Sequence, residues 1–274
     1  MNSPNIQLVM SDIDGTILNA QHQIDESLRP NIQQLTENNI PFVLASARSP
    51  RGVFPLSKEL DLGQNPIVCY NGALILEENG NHFRIIKEHL VALEEVQIIL
   101  EVIKRQFPKV SVNLYSGEQW MVDKRDKWVE IEAAITNESP AEQNLQSLLL
   151  ENAPPIHKLL LVEEPETIHE LHRFLENLQL KDSAFYLSKD NYLEVTSKEV
   201  SKERALIEVT RYYDTPLENV MTIGDNFNDL SMLILAGLGV AMGNAPQAVK
   251  EKSDVITCNN NEHGVSQAIR DYVL

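Results

Sequence analysis

Short apolar runs alternate with helix-period segments at both ends of this chain, and no other feature restricts its architecture so far. At the start, 6–10 reads as a strand, 28–38 as a helix with Ile32 and Leu35 inward, 42–45 as a strand, 51–60 as a helix and 67–70 as a strand. Repeated βα units of this kind imply parallel strands joined by right-handed crossovers. The rhythm returns near the end. Segment 202–213 is helical with Ala205, Leu206 and Val209 on one face, 220–223 is a strand, 230–236 a helix and 239–242 a strand; 245–252, 254–257 and 265–273 add helix, strand, helix. The two ends together predict an α/β fold: one doubly wound parallel sheet with helices on both faces.

The middle breaks the rhythm. Helical stripes (Leu93, Val96, Ile99, Leu100 and Ile103; Ile168, Leu171, Leu175 and Leu178) mix with strand alternation at Val110, Val112 and Leu114, and Pro165 is placed to open a helix. The expected organisation is a discontinuous core, 1–89 and 189–274, interrupted by an α+β module at 90–188.

Charge narrows the partners. Of 274 residues, 23 are Lys or Arg and 40 are Asp or Glu, a formal net charge of −17. Such a surface repels nucleic acid and anionic lipid, so neither is expected as a partner. A small anion could bind only where a cation or focused donors reverse the local field. Segment 230–249 lacks formal charge, but its glycines, Asn244 and Pro246 mark a helix, a turn and a strand rather than a membrane span. The first ten residues carry no basic segment of a signal peptide, and Cys69 and Cys258, without metal-type spacing, read as reduced core thiols; a cytoplasmic location is expected.

Four short strings could carry chemistry. Asp12-Ile13-Asp14-Gly15-Thr16 follows the first strand, at the carboxyl end where open α/β sheets bind ligands. Residues two apart on extended backbone project to one side, and two crowded carboxylates persist as ions only around a cation; otherwise one holds a proton. The plain alternative is an Asp/Gly turn. Gly224-Asp225-Asn226-Phe227-Asn228-Asp229 follows another apolar run more than two hundred residues later. If the two strands are neighbours, three carboxylates converge into an oxygen site suited to Mg²⁺. Alone, this string is equally an Asn/Asp loop capping a helix. Ser46-Ala47-Arg48 after the second strand could cradle a small anion or form a local cap. Lys202 opens a helix, the wrong end for a cation in the macrodipole, and is either a phosphate ligand or a solvated lysine.

In this order the four strings resemble the motifs of the haloacid dehalogenase-like (HAD) hydrolase superfamily. The insertion, Asn71-Gly72-Ala73, Glu194-Val195 with Val200-Ser201-Lys202, and Met242-Gly243-Asn244-Ala245 are similar to the Cof-type phosphatase branch, which carries an α+β cap between its second and third motifs. The resemblance implies a Mg²⁺-dependent phosphatase hydrolysing small-molecule phosphate monoesters (a sugar phosphate, or a nucleotide or cofactor phosphate) through an aspartyl-phosphate. Asp12 would be the nucleophile and Asp14 the general acid and base. Mg²⁺ would be held by the Asp12 side chain, the Asp14 main-chain carbonyl and Asp225, with Asp229 supporting that shell. Ser46, Lys202 and the N–H groups of Ile13 and Ala47 would bind phosphoryl oxygens, and Asn228 would orient the phosphate. The inserted module would act as a lid, and a monomer or weak homo-oligomer is expected. A phosphotransferase or phosphomutase with the same aspartate, or a non-enzymatic binder of a phosphorylated metabolite, are the alternatives. Ala47, Glu199 and Glu203 stand where the family often has glycine, and Tyr115, Trp120 and Met121 are guesses for leaving-group contacts, with a place in the cap interior as the alternative.

Overall fold

The computed structural model describes residues 5–80 and 82–274; Met1 to Pro4, part of the N-terminal stretch read above, and Asn81 lie outside it. The chain opens with β1 (Leu8–Ser11), α1 (Leu28–Glu37), β2 (Phe42–Ala45), α2 (Pro50–Glu59), β3 (Ile67–Cys69), β4 (Leu74–Asn79) and β5 (His82–Glu88). It continues through α3 (Leu93–Gln106), β6 (Ser111–Ser116), β7 (Gln119–Val122), α4 (Lys127–Thr136), β8 (Ala141–Glu142), α5 (Leu145–Glu151), β9 (Lys158–Val162), α6 (Pro165–Asn177), β10 (Ser183–Lys189) and β11 (Tyr192–Ser197). It closes with α7 (Lys202–Tyr212), β12 (Val220–Gly224), α8 (Leu230–Leu235), β13 (Leu238–Ala241), α9 (Gln247–Lys250), β14 (Val255–Ile256) and α10 (Gly264–Tyr272).

Two compact units result: 1–48, 53–87 and 201–274 form the first, and 49–52 with 88–200 the second. The sequence boundary at 188 falls inside the β10–β11 hairpin. β11 pairs antiparallel with both β10 and β9, so its ladder hydrogen bonds lie wholly in the inserted unit.

The first unit holds an eight-stranded sheet ordered β14-β13-β12-β1-β2-β3-β4-β5. From β14 to β3 every pairing is parallel. Strands β1, β2, β12 and β13 are buried throughout, as expected of strands covered on both faces. β4 pairs antiparallel with β3 and β5 forms the edge beyond it, two strands to which the sequence reading assigned no element. The chain leaves β1 toward β2 and β3 on one side and comes back to β12 to β14 on the other. The order therefore reverses between β1 and β12, and a doubly wound sheet opens its ligand crevice at the carboxyl ends there. Leu8 lies opposite Val220 and Ser11 opposite Ile223, so the two strands end level.

The inserted unit has a six-stranded, mainly antiparallel sheet ordered β10-β11-β9-β6-β7-β8. Leu114, Met121, Leu159, Leu161, Leu193 and Val195 line one face and pack on Ile99 and Ile103 of α3, Leu149 of α5 and Leu171 of α6. Pro165 sits in the first turn of α6, as its fixed φ favours.

Among the described residues no helix is long and apolar enough to cross a membrane, and the uncharged 230–249 stretch is α8, β13 and the start of α9. Cys69 is buried as expected, but Cys258 is exposed in the loop after the two-residue edge strand β14.

Candidate active site

β1 delivers Asp12 and β12 delivers Asp225 to the switch point. The Asp12 N–H donates to the Ile223 carbonyl at 2.9 Å, extending the β1–β12 ladder into the site. Asp12 is 5 % exposed, Asp229 0 % and Lys202 1 %. The Lys202 ammonium donates to Asp12 Oδ1 and, at 2.5 Å, to Asp229 Oδ1. The surface-lysine reading is thereby excluded: α7 starts at the site, and its first residue points inward beneath a Ser201 cap that accepts the Arg204 N–H at 3.1 Å. Glu203 is exposed in the same first turn, and the Glu199 N–H donates to Ser197 Oγ at 3.2 Å.

Asp229 is where the structure says more than the sequence did. As the residue before α8 it makes no side-chain cap. Its Oδ2 instead accepts the N–H groups of Asp225 and Asn226, both at 3.0 Å, so one carboxylate shapes the 225–229 loop and also grips Lys202. Gly224 is required for that approach, because a Cβ there would lie 2.5 Å from the Asp229 Cβ. Asp225 accepts a hydrogen bond from Thr16 Oγ1 at 3.0 Å. Across from it Gly15 has φ +82°, and a Cβ would lie 2.5 Å from Asp225 Oδ2. The Gly of the first motif is thus a matter of both backbone sign and space.

Carboxylate oxygens of Asp12, Asp225 and Asp229 lie within 4.8 Å of one another. One ammonium stands against three acids. Burial, then repulsion from Asp229, pushes Asp225 up to about 6 against the pull of Thr16 and Lys202. Burial first, then Asp229 and Asp225, likewise pushes Asp12 up although Lys202 opposes it. Burial disfavours the charge on Lys202, but Asp12 and Asp229 outweigh it and hold the ammonium above its usual range. A buried all-oxygen cluster with excess negative charge fits a hard divalent cation.

The remaining candidates are placed less directly. Ser46 is buried at the end of β2, and its Oγ accepts the Arg48 N–H at 3.2 Å, a local turn. Ile13 is fully buried and Ala47 half-buried at the turns after β1 and β2. Asn228 is exposed and donates to Asn71 Oδ1 at 3.3 Å. The Asp14 side chain joins none of the three-acid cluster; it is bound by Arg48, whose part the sequence reading limited to an anion cradle. Tyr115, Trp120 and Met121 are buried within the inserted unit: the two rings stack, Trp120 Nε1 donates to Asn113 Oδ1 at 3.0 Å, and Met121 joins the apolar core.

A doubly wound parallel sheet with a lysine and three aspartates gathered at its switch point defines a class, the hydrolases of the HAD type. The profile of the family described as haloacid dehalogenase-like hydrolase matches residues 9–269, and the chain belongs to that family, in its Cof-type branch. A Haemophilus influenzae protein is 35% identical over 265 residues, 96% of this chain and 97% of its own. YcsE of Bacillus subtilis, named a 5-amino-6-(5-phospho-D-ribitylamino)uracil phosphatase, is 28% identical over 274 residues, 98% of this chain and 97% of its own. A crystal structure of a haloacid dehalogenase-like hydrolase from Bacteroides thetaiotaomicron superposes with TM-score 0.87 at 30% identity, covering 97% of this chain and 99% of that one.

Proposed function

We propose that the protein is a Mg²⁺-dependent phosphatase that hydrolyses small-molecule phosphate monoesters in the cytoplasm through an aspartyl-phosphate on Asp12. The observation that carries this reading is the buried Asp12 held by Lys202 beside Asp225 and Asp229 at the sheet's switch point. The name of YcsE, a phosphatase of a phosphorylated ribityl compound, supports the small-molecule class.

Asp12 and Asp225 side chains and the Asp14 carbonyl would hold Mg²⁺, which when bound supplies positive charge against the phosphoryl oxygens. In the first half an Asp12 carboxylate oxygen attacks phosphorus, the bond to the ester oxygen breaks, and Asp14 gives that oxygen a proton. In the second half Asp14 takes a proton from water, the water oxygen attacks phosphorus, and inorganic phosphate leaves a restored Asp12 carboxylate. Lys202, Ser46 and the N–H groups of Ile13 and Ala47 bind the phosphoryl oxygens, and Asn228 orients them. Before phosphoryl transfer Lys202 carries its ammonium, because both of its carboxylate partners favour the charge.

Phosphate release from a panel of phosphate esters with Mg²⁺ tests the reading. The wild type should release free phosphate, and Asp12→Asn, an isostere without the charge, should abolish release while keeping the far-UV circular dichroism. Near wild-type turnover in Asp12→Asn would overturn the nucleophile assignment. Transfer of phosphate to an added alcohol without free phosphate would overturn hydrolysis.

A further inference from the structure

Asp14 is half exposed, and among the described residues Arg48 holds its side chain. Arg48 Nε donates to Asp14 Oδ2 at 2.8 Å and Nη2 to Oδ1 at 2.5 Å, a two-pronged fork onto both oxygens. The guanidinium is launched from a pinned turn: the Arg48 N–H donates to Ser46 Oγ at 3.2 Å, and its carbonyl accepts the Tyr70 N–H at 3.0 Å. Asp14, in contrast, precedes Gly15 at φ +82° and has 49% of its side chain exposed, so packing does little to aim it. A planar fork fixes both the position and the plane of a carboxylate, which a point charge cannot do.

We propose that Arg48 is a positioning residue for the first proton transfer: it aims the Asp14 carboxyl at the ester oxygen. The inference rests on the phosphatase reading above. The fork takes two of the roughly four lone-pair sites of the carboxylate and leaves the outward ones for the reacting oxygens. In the first half a proton passes from Asp14 to the leaving oxygen, in the second a proton passes from water to Asp14, and Arg48 exchanges no atom. This differs from an arginine that binds the phosphoryl group itself, which would serve every ester alike.

The experiment uses two esters with Mg²⁺: 4-nitrophenyl phosphate, whose phenolate leaves without a proton, and glycerol 2-phosphate, whose alkoxide needs one. Arg48→Ala should lower kcat on the alkyl ester about a hundredfold, at the lower end of what proton transfer contributes, with KM unchanged and only a few-fold loss on the aryl ester. Arg48→Lys should recover part of the alkyl rate, since it restores the charge without the fork. On an Asp14→Asn background Arg48→Ala should cost nothing further, because its partner is already disabled. Equal loss on both esters, or additive losses in the double variant, would overturn the proposal alone. A wild type inert toward both esters would remove the phosphatase reading and this proposal with it.

Discussion

The two sheets of this molecule bury similar aliphatic residues and differ in what their ends do. In the first unit six strands run parallel, so the carboxyl ends of β1, β2 and β12 share one edge, and residues far apart in sequence gather there. In the inserted unit neighbouring strands mostly run antiparallel, so consecutive strand ends alternate between opposite edges and polar side chains settle on a face instead. Asn113, Tyr115 and Trp120 alternate with the apolar residues there, and Tyr192 donates to Glu132 of α4 at 2.9 Å. A parallel sheet concentrates charge at an edge, and an antiparallel one spreads polarity over a surface.

That contrast can be broken by substitution. Lys202→Met in the first unit removes the ammonium set against the buried Asp12 and Asp229 and the half-buried Asp225 and should cost about 3–5 kcal/mol of stability, read by urea unfolding without metal, as well as turnover. A loss under about 1 kcal/mol would mean that the acids are already protonated, and the contrast with the inserted unit would shrink. Leu161→Ala, wholly buried in the core of the inserted unit, should cost about 2–5 kcal/mol through the cavity alone and leave the Mg²⁺ affinity of the first unit unchanged by isothermal titration calorimetry.

Metal should sharpen the difference further. Asp225 is pushed up to about 6 from the ordinary 3.8, so the folded chain binds more protons than the unfolded one between those values. Without a divalent ion, this group's contribution to stability therefore falls as pH rises from about 4 through about 6. Mg²⁺ bound at Asp225 as proposed would compete with that proton, so the rise in Tm on adding Mg²⁺ should be large at pH 7.5 and fade below about pH 6. Differential scanning calorimetry at both values decides it; a pH-independent rise would place the ion away from Asp225. The smallest effect is expected from Trp120→Phe, which deletes the bond to Asn113 within the inserted unit and should lower stability by about 1 kcal/mol with the metal response intact.

The same contrast explains what could be read in advance. Strand–helix alternation is a local pattern, and β1, β2, β3, β12 and β13 emerge within a residue or two of expectation. The meeting of Asp12 and Asp225 was legible because parallel order brings strand ends together, whereas Lys202, on a helix, stood out only through the order of the four motifs. The orientation of Asp14 was not legible. Its partner Arg48 belongs to the turn after a neighbouring strand, and only the realised turn geometry carries its guanidinium across. Asp229 was visible as a helix cap or metal support, but its bond to Lys202 depends on α7 starting at the same edge. In the inserted unit the apolar stripes showed the helices and 184–187 read as one of its strands, whereas β11 was assigned to the core because sequence alone does not say which sheet a strand joins.

The place of β1 between β2 and β12 also has a meaning in time. A ribosome releases the first ladder partner of β1 within a few dozen residues, but the second only after the whole inserted unit has been made. Until then the apolar strand Leu8–Ser11 has an open edge, the kind of edge that recruits other chains. A message that stops before codon 220 therefore yields no weakened enzyme. It yields a nascent sheet whose middle has become its border, and proteolysis or aggregation is its expected fate.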